Sequence, residues 1–60
     1  MLPKDVHMLV SYLNAKLRDD DMSLQHIIEI QDGNVREVLS YMDQNGYRYN
    51  QTVNQIRHKS

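Results

Sequence analysis

Sixty residues without one cysteine leave this chain only its apolar side chains to hold a fold together. A domain of this size buries about 60% of the surface its unfolded chain exposes. No disulfide framework compensates, and no histidine or carboxylate cluster has metal-ligand spacing. Almost every apolar residue must therefore serve the core or a partner interface. Apolar residues are 40% of the chain, above the disordered range. One small domain over residues 1–60 is expected.

Spacing predicts the architecture. Pro3 fixes the chain just before Asp5, a good N-cap. Val6, Leu9, Val10, Leu13 and Leu17 then recur at helical steps, predicting a first helix over about 5–19. Met8, Tyr12 and Ala15 widen its apolar stripe, as expected of a helix central in the fold or shared with a second subunit. Asn14 lies near that face and needs a hydrogen-bonding partner, because an unpaired buried amide is costly. Asp19-Asp20-Asp21 opposes the helix dipole and predicts a solvated turn. The triple is no calcium loop, since the glycine and terminal glutamate that such a loop requires are not at the right offsets.

Ser23 is the expected N-cap of a second helix over 23–31, which buries Leu24, Ile27 and Ile28 with Ile30 to one side. Asp32-Gly33-Asn34 breaks the pattern, with Gly33 the residue expected to take a positive φ. Asn34, with Glu37 three positions on, resembles a capping box and starts a third helix over 34–45. Val35, Val38, Leu39 and Met42 are its predicted core face. Gly46 sits where a C′ glycine belongs, and Tyr47 is placed to pack back on the helix. Tyr47 and Tyr49 then alternate around Arg48. A hairpin over 47–57, with 47–49 opposite 55–57, fits this tail better than a short fourth helix over 52–58. The expected fold is mainly α: a tri-helical, helix-turn-helix-like core with a short C-terminal β-hairpin.

Three stretches carry a resemblance. The first is Leu2-Pro3-Lys4-Asp5 with Met8-Leu9, Ser11 and the run Asn14, Lys16-Leu17-Arg18-Asp19. The second is Ser23-Leu24, and the third is Gly46-Tyr47-Arg48-Tyr49 with Asn54-Gln55. In these the chain resembles a family of very short bacterial proteins of unknown function, whose marks are an Asn-x-Lys-Leu-Arg-Asp run and a Gly-Tyr-x-Tyr tail. The resemblance implies similar domain limits and a bacterial, cytoplasmic origin, and it carries over no site residue. Gln31, Gly33 and Asn45 stand where that family has apolar residues, which implies thinner packing around the turn.

Little here points to catalysis. Ser23 is explained as a cap, and Ser11, one turn from His7, lacks a carboxylate to complete a triad. His7, His26 and His58 are far apart in sequence, and two glycines thirteen residues apart build no phosphate loop. No enzyme activity, cofactor, metal or small-molecule substrate is expected. The longest apolar run, Met8-Leu9-Val10, is far short of a membrane span. No signal-peptide pattern is seen, and the expected location is cytoplasmic.

Two functional expectations follow. The first is an interaction module, a homodimer through the first helix or a complex with a small protein partner. Its candidate interface residues are Met8, Tyr12, Ala15, Tyr41 and Tyr49, since tyrosine and methionine favour interfaces. The second is a weak nucleic-acid contact. Residues 1–46 hold four basic and eight acidic residues, net −4, whereas 47–60 hold three basic residues and no acid. Arg48, Arg57 and Lys59 would then act as a wing touching phosphate. The third helix is a poor reader: Asn34, Arg36, Gln44 and Asn45 share it with Glu37 and Asp43.

Overall fold

The computed structural model describes residues 2–20 and 22–59. The chain forms α1 (Val6–Asp19), α2 (Leu24–Ile30), α3 (Val35–Gln44), β1 (Tyr47–Asn50) and β2 (Gln55–His58). Each helix begins at the cap its sequence predicts. Asp5 accepts from Met8 N–H, Ser23 from His26 N–H and Asn34 from Glu37 N–H, satisfying donors that every helix start leaves open. α1 ends at Asp20, whose N–H donates to Lys16 O at 2.8 Å. Lys16 and Arg18 pair with Asp20 and Asp19 on the surface; Asp21, the third acid of the run, lies outside the described residues.

The α2–α3 turn corrects one expectation. Asp32, not Gly33, takes the left-handed conformation, with φ 59°. Asp32 N–H donates to Glu29 O at 3.0 Å and Gly33 N–H to Ile28 O at 2.9 Å, the paired bonds of a Schellman ending with Asp32 at C′. Gly33 is needed for space instead. A Cβ there would stand 2.8 Å from Ile28 Cγ2 and 2.9 Å from Leu2 Cδ1. At Gly33 itself the packing is therefore tight.

Gly46 does hold the positive φ its position predicts, at 86°. An added Cβ would meet nothing within 4 Å, so backbone conformation is the whole penalty. Gly46→Ala is expected to cost about 1 kcal/mol, while exposed Asn45→Ala stays within about 0.5 kcal/mol of the parent. Urea melts of the two variants check the pair; equal stability of Gly46→Ala and the parent would contradict the assignment.

β1 and β2 pair antiparallel with Tyr47 opposite His58, Arg48 opposite Arg57, Tyr49 opposite Ile56 and Asn50 opposite Gln55. The core gathers Val6, Leu9, Val10, Leu13 and Leu17 of α1, Leu24, Ile27 and Ile28 of α2, Met42 of α3, and Tyr47 and Ile56 of the hairpin. Asn14 fastens the hairpin to α1: its Nδ2 donates to Ile56 O at 3.0 Å and its Oδ1 accepts from Ile56 N–H at 2.7 Å. One side-chain amide thus does for β2 what a neighbouring strand would.

Two predicted apolar positions do not join the core. Leu39 is 37% exposed. It lies about 100° around α3 from Val38, at the flank of a helix on the bundle's edge. Met8 is 63% exposed, because it is about 100° from Leu9 on the side of α1 turned away from the buried face. It widens no core stripe.

Candidate interaction surfaces

α3 is the least covered helix. Of Val35, Val38, Leu39, Tyr41 and Met42, only Met42 is fully buried. Open hollows flank it. One lies against the N-terminal segment, lined by Leu2, Pro3, Leu9, Val38 and Tyr41. Another lies between α3 and β1, floored by Leu39, Met42, Tyr47 and Tyr49. A third runs beside α2, where Val35 and Leu39 meet Glu29 and Arg36. Leu39 lines two of the three and stands as a ridge between them.

The five candidate interface residues are spread over three elements. On α1, Met8 is exposed while Tyr12 and Ala15 are half-buried. Tyr12 packs against the core, and the Lys16 ammonium lies 5.8 Å from its ring centroid. Tyr41 on α3 is exposed, but its hydroxyl donates to Lys4 O at 2.7 Å and ties the N-terminal segment to the helix. Tyr49 on β1 is half-buried against the core, with its hydroxyl donating to Asn54 Oδ1.

The three basic candidates do converge. Arg48 and Arg57 are directly opposite in the hairpin, and Lys59 follows two residues after Arg57, so alternation sets all three on its outer face. Like charges directly opposite repel. Asp43, at the end of α3, answers part of that charge: Lys59 Nζ lies 2.8 Å and Arg48 Nη2 3.9 Å from its carboxylate. The Lys59 hydrogen bond and then the charge of Lys59, with a lesser contribution from Arg48, hold the Asp43 carboxyl below the ordinary aspartate range, against the desolvation that opposes them. Because the folded-state value is lowered, the ion pair's contribution is present above the unfolded value and is lost as pH falls through the folded one. Lys59→Ala is expected to raise the Asp43 carboxyl back toward its ordinary value, read by NMR titration; an unmoved midpoint would refute the pairing.

The structure also joins residues that sequence spacing kept apart. His7 Nδ1 is 2.8 Å from the Tyr47 hydroxyl, and the His58 ring lies 4.3 Å from the Tyr47 ring, centroid to centroid. His7 is thus engaged across 40 positions of sequence rather than with neighbouring Ser11. Only the tyrosine after Gly46, expected to pack back on the helix, hinted at this cluster.

Among the described residues, no helix is long and apolar enough to cross a membrane. No curated protein and no solved structure shows a significant match to the chain. A family model does match, over residues 3–56, which run from the proline before the α1 cap to the buried isoleucine of β2. The chain belongs to the family described as a domain of unknown function, DUF4250.

Proposed function

We propose that this domain is a non-enzymatic protein-interaction module. The observation that carries the reading is the incompletely covered apolar face of α3, where Leu39 and Tyr41 stay exposed beside open hollows. A small domain gains buried area and mass-action stability from a partner, and helix-in-groove contacts use such stripes. A second copy of the chain is the simplest partner. Met8, with half-buried Tyr12 and Ala15 beside it, adds apolar surface on α1. Sedimentation from micromolar to millimolar concentration is expected to show mass rising toward a dimer. Leu39→Glu, which charges the ridge between the hollow against β1 and the hollow beside α2, is expected to weaken that association about tenfold or more without unfolding the chain. A constant monomer mass would remove self-association.

A second reading, nucleic-acid contact through Arg48, Arg57 and Lys59, draws on their shared face of the hairpin. Asp43 already engages two of the three, which ranks this reading lower. Three phosphate contacts limit the slope of log affinity against log salt to roughly −3. Duplex titration at low salt tests it: tighter binding by Asp43→Asn supports the reading, and no binding by either chain ends it.

A further inference from the structure

The two edges of the hairpin are treated differently. The edge of β2 is closed by Asn14, which takes both Ile56 N–H and Ile56 O. The edge of β1 has no such cover. Lys59 N–H donates to Gly46 O at 2.9 Å, so Gly46 and Lys59 form a hydrogen-bonded pair. Pairs along an antiparallel ladder alternate. Arg48–Arg57 and Asn50–Gln55 therefore exchange the ladder bonds, while Tyr49–Ile56 turns its backbone groups outward. The Asn14 bonds to Ile56 agree with that parity. Tyr49 N–H and Tyr49 O accordingly point away from β2, and among the described residues neither makes a hydrogen bond.

The hollow between α3 and β1 lies on that same side. It offers apolar side chains, Leu39 and Met42 from the helix and Tyr47 and Tyr49 from the strand, beside an unpaired backbone donor and acceptor. An incoming strand meets both needs at once. The residue bonded to Tyr49 turns its side chain to the face of Tyr49, and its neighbours turn theirs to the face of Arg48.

Charge selects the occupant. The outer face beside this edge carries Arg48, Arg57 and Lys59, and Asp43 is the one carboxylate paired with them among the described residues. β1 and β2 read Tyr-Arg-Tyr-Asn and Gln-Ile-Arg-His, with no acid. A second copy's β1 would set Asn50 or another Arg48 beside Arg48. An acidic residue answers that position better.

We propose that the open edge of β1 docks an extended segment of another protein, which adds as a third antiparallel strand, seats apolar side chains in the hollow against α3 and carries an acidic residue beside Arg48. The proposal rests on the interaction-module reading and names its surface and partner.

Tyr49→Pro supplies the test. It deletes the outward N–H, which bonds nothing within the chain, and proline is tolerated at such edge positions. Tyr49→Val loses the same ring and keeps the N–H. The probe is a dye-labelled, capped heptapeptide alternating valine with glutamate, set against its valine–lysine counterpart, with anisotropy read at low salt. The glutamate peptide is expected to bind saturably and roughly tenfold more tightly than the lysine peptide. Tyr49→Val loses the ring's share of the contact but still binds saturably, whereas Tyr49→Pro abolishes binding. In the parent chain, saturating glutamate peptide is expected to slow hydrogen exchange at the Tyr49 amide, and that measurement decides if Tyr49→Pro fails to fold. No saturable binding, equal binding by the two variants, or unchanged Tyr49 exchange each overturns the proposal. Concentration-dependent self-association without peptide binding would overturn it and leave the interaction-module reading standing.

Discussion

Asn14→Ala is expected to destabilise the domain by about 2–4 kcal/mol, because it strands both backbone groups of Ile56. An unsatisfied buried donor or acceptor costs about 1–3 kcal/mol, and Ile56 is only 3% exposed. An isolated two-stranded hairpin is marginal, so β1 and β2 depend on this attachment. Against the roughly 3–5 kcal/mol that a core of this size supplies, the loss approaches global unfolding, read as a collapse of the urea midpoint. Asn14→Asp refines the argument. Its carboxylate still accepts from Ile56 N–H but faces Ile56 O without a proton. Folding therefore favours the protonated acid, and its folded-state pKa is raised. The variant's stability should be greatest below the unfolded carboxyl pKa and fall as pH rises through the folded one. A pH-independent difference between Asn14→Asp and Asn14→Ala would contradict the two-bond geometry.

Gly33→Ala is expected to cost about 2–3 kcal/mol, more than Gly46→Ala and for a different reason. Its Cβ would lie 2.8 Å from Ile28 Cγ2 and 3.0 Å from Ile28 O. Ile28 is fully buried, and its carbonyl already accepts from Gly33 N–H at 2.9 Å. Leu2 gives way cheaply at its side-chain end, but the Ile28 branch and carbonyl do not, and overpacking of this kind typically costs 1–3 kcal/mol. Ile28→Leu removes the clashing branch. The double variant should be less destabilised than the sum of the singles, and strict additivity in urea melts would rule the collision out.

Local chemistry was legible in the chain itself. Asp5, Ser23 and Asn34 cap their helices because a short oxygen-bearing side chain satisfies an open N–H wherever a helix starts. Gly46 ends α3 at φ 86° because only glycine takes that conformation freely. The periodic apolar residues of α1 and α2 are the buried ones, and the alternating tyrosines became a strand. Asn14 announced its need for a partner, since an amide near an apolar face must be satisfied.

What the sequence could not hold was the identity of neighbours across the fold. That the Asn14 partner is Ile56, 42 positions away, follows from how the hairpin lies on α1. Whether Leu39 or Met8 is covered depends on which helices stand beside them, and periodicity within one helix has no access to that. Asp32 took the positive φ expected of Gly33, and the space that Gly33 must leave is set by Ile28 and Leu2, which the turn's own residues do not show. The basic residues read as one basic tail, but only strand pairing set Arg48 opposite Arg57 and only the end of α3 brought Asp43 to them. The open edge of β1 likewise follows from register and the position of α1. Short-range bonds are written in residue order, whereas exposure, charge pairing and free strand edges are made by contacts between segments.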